Sequence, residues 1–189
     1  MSKVVVFFAE GTEECEALLV VDLLRRAKVE VTVASASGSR EIVSSHKVHI
    51  TADALAEEVD YSDVDMVVLP GGIPGTPNLA ANKTVTDTCT AFAKSGKKVA
   101  AICAAPSVLA SLGLNVPAAM AGASMPSIGL EQLLAVNPAW LLVAHYREES
   151  IVKRWQQDPL WQMLTAAQKQ QVASVDSNTW ARMRGIFAA

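Results

Sequence analysis

The stretch Val99-Ala100-Ala101-Ile102-Cys103-Ala104-Ala105-Pro106 decides how the rest of the chain is read. An apolar run ends on a cysteine, small residues follow, and Pro106 stands where the first turn of a helix accepts proline. This is the pattern of a buried strand that turns sharply into a helix. A side chain on such a turn projects at the carboxyl edge of a parallel sheet, where open α/β folds build their sites. The amino end of the following helix favours a thiolate, so it should lower the thiol pKa. The plain alternative is a buried, inert cysteine, because unpaired cysteine is among the most buried residue types.

Working outward, the same alternation recurs. Residues 4–9, Val-Val-Val-Phe-Phe-Ala, form an unbroken apolar run that reads as a strand buried on both faces. Gly11-Thr12 follows. Glu13, Glu14 and Glu16 then open a helix that runs to about residue 27, acids at its positive end. Glu13 and Glu14 read as a solvated acidic helix start. Residues 29–34 give strand two. Residues 42–43 and 48–50 suggest two short extra strands of a hairpin, and Asp53 a cap for a short helix to residue 58. Strand three, residues 65–69, stops at Pro70-Gly71-Gly72. A helix capped by Asn82 spans 82–95, strand four spans 98–102, and a helix covers about 105–112. Beyond a loop of proline and small residues (115–126), Ser127 should cap a helix over 128–136, broken by Asn137-Pro138. Strand five is 140–144, helices follow at 150–156 and 160–164, strand six is 171–175, and a last helix starts near Thr179 or Trp180.

Strands alternating with helices at this spacing predict βαβ units with right-handed crossovers. The expected fold is a single α/β domain over residues 1–189. It is a flavodoxin-like three-layer sandwich with a mainly parallel sheet in the order 2-1-3-4-5-6.

Composition narrows the function. A chain of 189 residues suits one domain, and 51% hydrophobic with 19% charged residues excludes disorder. A net charge of −3 offers no basic surface for nucleic acid or an anionic membrane. Cys15, Cys89 and Cys103 cannot all pair internally, which suggests free thiols in a reducing compartment. No apolar stretch approaches the roughly 20 residues that cross a bilayer, and no signal core opens the chain, so a cytoplasmic protein is expected. His46 and His49 have odd spacing, which puts them on opposite faces of one strand. No Cys/His cluster with ligand spacing and no phosphate loop appears, so no metal and no cofactor are expected.

Residues 9–16 (Ala-Glu-Gly-Thr-Glu-Glu-Cys-Glu), 67–72 (Val-Val-Leu-Pro-Gly-Gly) and 100–106 (Ala-Ala-Ile-Cys-Ala-Ala-Pro) together resemble the ThiJ/PfpI superfamily of Parkinsonism-associated deglycase-like proteins. Order and spacing fit from residue 1 to about 114. The resemblance implies that Cys103 is a reactive, oxidation-sensitive nucleophile and that Glu16 hydrogen-bonds its sulfur. It implies too that the Gly72 and Ala104 amides form an oxyanion pocket. Members are linked to glyoxalase, deglycase, protease-like and chaperone-like activities, and often dimerise through elements near strand one, so a homodimer is expected. The superfamily pattern would place a histidine after the nucleophile, yet residues 115–135 hold none. His145, at the end of strand five, is then the candidate base, since neighbouring strand ends lie about 5 Å apart. The plain alternative is a partly exposed histidine at a strand end.

The second part of the chain uses a different vocabulary. All four tryptophans (140, 155, 161, 180) and all seven glutamines (from Gln132 onward) lie beyond residue 130. Residues 1–114 carry 10 basic and 14 acidic side chains, and residues 115–189 carry 6 and 5. Residues 127–138, 141–144, 158–161 and 178–182 resemble the carboxy-terminal lobe of siderophore-class periplasmic binding proteins, in particular the iron(III) dicitrate group. That resemblance implies Trp180 and Arg182 as ligand contacts; Trp140, Trp155 and Trp161 read as packing residues. The two resemblances meet near residues 107–114. The expectation is therefore a recombined or engineered fold chimera without a selected activity, retaining a reactive cysteine, and not an enzyme. The alternatives are a residual thiol enzyme of glyoxalase or deglycase type and a weak binding module for citrate or another small anion.

Overall fold

The computed structural model describes residues 1–114, 128–145 and 150–176. The chain divides into two compact units, Met1–Pro126 and Ser127–Ala189.

In the first unit, Lys3–Phe8 forms β1 and Glu14–Arg26 forms α1, followed by β2 (Glu30–Ser35). The short β3 (Glu41–Val43) and β4 (His49–Thr51) pair antiparallel as the expected hairpin. Then come β5 (Ala54–Leu55), a 3-10 turn at Ala56–Glu58, and β6 (Met66–Leu69). Helices α2 (Gly75–Ala81) and α3 (Lys83–Ser95) lead to β7 (Lys98–Ala101) and α4 (Pro106–Ser111).

The sheet runs β5-β2-β1-β6-β7, with every pairing parallel. The strands expected as two, one, three and four thus stand in the expected order, and the fold is α/β and flavodoxin-like. Side chains alternate across the sheet. Val5, Phe7, Val67 and Leu69 face a core with Leu79, Val85, Phe92 and Val108 from α2, α3 and α4. Val4, Val6, Phe8, Val33 and Val68 face the opposite core with Ala17 and Val21 of α1 and Ile42 of the hairpin. Buried on both faces, β1 has no use for polar residues, which is why it reads as one apolar run.

Local differences from the sequence reading have physical causes. Asp53 does not cap a helix. Its carboxylate accepts the Val33 N–H at 2.9 Å and pairs with Arg25 at 2.8 Å, so residues 54–55 are drawn into the sheet edge. Helix α2 was unforeseen because Gly75-Thr76-Pro77 looks like loop; Pro77 is tolerated in the first turn, where its missing N–H costs nothing. Asn82 caps α3 as expected, accepting from Val85 N–H at 3.1 Å.

In the second unit, α5 (Leu130–Val136) leads to β8 (Leu141–His145), then α6 (Ile151–Trp155), a 3-10 segment at Pro159–Met163, α7 (Thr165–Gln168) and β9 (Val172–Asp176). Its core is Leu130, Leu133, Trp161 and Leu164. Asn137 ends α5 in a left-handed conformation, and its Oδ1 accepts the Thr165 N–H at 2.8 Å. The strands expected as five and six, β8 and β9, pair parallel with each other in a two-stranded sheet of their own. Among the described residues the first unit holds the five-stranded sheet and the second this two-stranded one. The 115–126 loop, the Ser127 cap and the last helix lie outside the described residues. No helix among the described residues is long and apolar enough to cross a membrane.

Candidate active site

Cys103 stands two residues beyond the end of β7, on the expected sharp turn into α4. Its φ is 58°, a left-handed conformation that costs a non-glycine residue about 1–3 kcal/mol. Neighbouring bonds over-determine the turn. Ile102 N–H donates to Leu69 C=O at 3.1 Å, continuing the parallel ladder, and Ala105 N–H donates to Ile102 C=O at 3.0 Å. Cys103 is an exposed residue, unlike Cys89, which is buried and whose pKa burial pushes up to about 12.

Glu16 reaches the thiol from the first turn of α1. Glu13 caps that helix, its Oε2 accepting the Glu16 N–H at 2.7 Å. Glu16 Oε2 accepts the Gly71 N–H at 3.0 Å, which sets the carboxylate beside Cys103. The Ala104 N–H favours the thiolate form. Partial burial, then the hydrogen bond and charge of Glu16, hold the thiol pKa above its ordinary value; Glu13 adds to this, and the Ala104 amide opposes it without prevailing. The lowering expected from the helix amino end is therefore reversed, because burial and then the neighbouring carboxylate outweigh one amide dipole.

The glycine beside the thiol is Gly71. A Cβ there would lie 2.6 Å from Glu16 Oε2, 2.8 Å from Cys103 Cβ and 3.2 Å from Ala104 N. Gly72, the next residue, has a φ of 103°, and a Cβ there would meet the backbone of Gly11, Thr12 and Glu13. The signal that finds Gly71 is register. Leu69 pairs with Ala101, so two residues on Gly71 faces Cys103. The loops are also stitched together: Glu13 N–H donates to Gly71 C=O at 3.0 Å and Gly75 N–H to Gly11 C=O at 3.1 Å.

Glu13 and Glu14 are not a solvated helix start. Glu14 is only 13% exposed, and its Oε1 lies 2.8 Å from His46 Nδ1 in the β3–β4 turn. Burial opposes its ionisation, but hydrogen bonds from its own amide, Ser44 and the His46 amide, with the His46 charge, bring its pKa down to about 2. Among the described residues, one ligand atom from each of Glu13, Glu14 and His46 lies within 4.8 Å of the others.

The structure thus brings Cys103, Glu16 and Ala104 together. His145 ends β8 in the second unit, paired in register with Asp176. Trp180 and Arg182 lie outside the described residues. Trp161 is buried and Trp140 exposed.

Comparison with known proteins places these features in context. The pattern of the DJ-1/PfpI family matches residues 2–132. Protein dj-1beta of Drosophila melanogaster is 40% identical over 115 residues, covering 60% of this chain and 62% of its own length. Its crystal structure aligns over 93% of this chain and 75% of that one, at 28% identity and a TM-score of 0.58. The oxidized DJ-1 of Toxoplasma gondii aligns over 74% of this chain and 72% of its own, at 33% identity and a TM-score of 0.60. The matched segments span 24–62% of the length of the curated relatives.

These findings correct the expectation of an inactive chimera. The family match runs to residue 132, past the joint expected at residues 107–114, and structural likeness covers most of the chain. A siderophore-binding segment is shown by none of these matches. A change in residue vocabulary reports a change in side-chain supply, and one fold accepts many such supplies.

Proposed function

The chain belongs to the DJ-1/PfpI family, and on that premise we propose that it is a thiol enzyme of glyoxalase or deglycase type, acting on small reactive carbonyl compounds. The observation that carries this reading is the Cys103 side chain, the Glu16 carboxylate and the Ala104 N–H gathered around Gly71.

A thiol whose pKa is raised is a poor nucleophile until a base takes its proton. Glu16 is that base, its carboxylate fixed beside the thiol by the Gly71 N–H. As the sulfur attacks an aldehyde carbon, the S–H proton passes to Glu16, the S–C bond forms and the C=O π pair moves onto oxygen. Glu16 then returns the proton to that oxygen, completing a hemithioacetal with no net charge change. The Gly71 N–H on Oε2 keeps the carboxylate aimed through the cycle. Glu16 thus fills the base role that the sequence reading had offered to His145.

The test is methylglyoxal consumption by the wild type, Cys103→Ser and Glu16→Gln. Turnover by the wild type that falls to background in Cys103→Ser and drops at least about tenfold in Glu16→Gln supports the reading. Equal background rates in all three refute it.

A further inference from the structure

Two acids at the start of α1 and a histidine in the β3–β4 turn meet beside the thiol site. We propose that Glu13, Glu14 and His46 bind one first-row divalent cation of the zinc, nickel or cobalt type. One ligand atom from each side chain lies within 4.8 Å of the others, although His46 is far from the two acids in sequence. Such cations take imidazole nitrogen and carboxylate oxygen at about 2.0–2.2 Å, so a small rotation of an exposed side chain completes the set. His46, 64% exposed, has that freedom, and Glu14, 13% exposed, is the fixed wall.

The convergence is built by backbone and not by charge. Ser45 N–H donates to Thr12 C=O at 2.9 Å, and Gly11 N–H donates to Val43 C=O at 2.9 Å. These two bonds hold the turn against the start of α1 whatever the protonation state of His46. Ser45 Oγ lies 3.2 Å from His46 Nδ1 and 3.3 Å from Glu14 Oε2, a neighbour able to steer both ligands.

Charge and donor type select the ion. Two carboxylates outnumber the single charge that a protonated His46 supplies. A divalent cation on a neutral imidazole balances both. The mixed nitrogen and oxygen set suits zinc, nickel or cobalt, whereas calcium and magnesium take oxygen alone. The sequence hid this set because its one histidine neighbour in sequence, His49, is part of β4 and takes no part.

The test is a Co2+ titration of the full chain, followed by visible absorption and by calorimetry. One equivalent should bind, with His46→Ala and Glu14→Gln each weakening it about tenfold or more, and His49→Ala, Cys15→Ser and Cys103→Ser leaving it unchanged. His46→Lys separates a metal site from a plain ion pair, since it keeps a cation beside Glu14 but offers no imidazole; it should fold with an unchanged melting temperature and lose Co2+. Absence of binding by the wild type, wild-type affinity in His46→Ala or His46→Lys, or loss of binding in Cys103→Ser would each overturn the assignment.

Discussion

Gly71 lies directly beside Cys103: a Cβ on Gly71 would stand 2.8 Å from the Cys103 Cβ. The parallel register of β6 and β7 makes this contact, because each residue follows its strand end by the same two positions. The same missing side chain leaves room for Glu16 Oε2 to take the Gly71 N–H.

Gly71→Ala should therefore damage the site more than the fold. The added methyl group must push the Glu16 carboxylate or the Cys103 turn aside, and sub-ångström placement of reacting groups is worth large factors in rate. Iodoacetamide labelling of Cys103 and methylglyoxal turnover should both change by about tenfold or more while the far-UV spectrum is retained. Unchanged values of both would show that the close approach has no functional weight.

Glu16→Gln should move the Cys103 titration to lower pH. Burial is the first cause of the raised thiol pKa and Glu16 the second, so removing the carboxylate takes away both a proton acceptor and a negative charge. At a pH below the wild-type thiol pKa, the variant holds more thiolate and alkylates faster, although it turns over carbonyl substrate more slowly. A pH profile of alkylation checks the sign; a shift to higher pH would contradict the assignment of Glu16 as the neighbour.

Cys103→Gly should be at least as stable as Cys103→Ala. Both remove the thiol, but only glycine adopts a φ of 58° without strain. The unfolded-chain entropy of glycine takes back part of the gain, leaving a difference of about 1 kcal/mol or less. Paired thermal melts measure it, and a clearly higher melting temperature for Cys103→Ala would mean that the turn is not strained.

Acid should unfold the wild type partly through Glu14. Its folded pKa of about 2 lies below the ordinary value of 4.5, so its ionised form stabilises the fold above pH 4.5, and that contribution fades as pH falls from there to about 2. Glu14→Gln should flatten this limb of the stability curve. Urea melts at pH 6 and pH 3 should show a smaller loss for the variant; equal losses would assign the acid limb to other carboxylates.

Much of this was open to a reader of the sequence. Apolar runs such as residues 4–8 are short and rich in valine and phenylalanine, with a glycine soon after, so they announce strands buried on both faces. Cys103 was legible because only small residues stand between its strand and Pro106. Asn82 was legible because a capping side chain acts on its own neighbours. Asp53 misled for the same reason: it looks like a cap, yet its partners Val33 and Arg25 lie 20 and 28 residues away. The tryptophan and glutamine boundary misled more deeply, because composition records which side chains a segment uses and not the backbone path it follows.

The sequence by itself determined the parallel α/β plan, the order of the first four principal strands, and the cysteine that stands on the strand-to-helix turn. These follow from local periodicity and from the few topologies that right-handed crossovers permit. Only the tertiary structure decided that Gly71 lies against Cys103, that burial and Glu16 raise the thiol pKa where a helix end alone would lower it, and that His46 meets Glu13 and Glu14. Each of these is set by strand register or by loops crossing at the sheet edge, and distances across such contacts have no counterpart in sequence spacing.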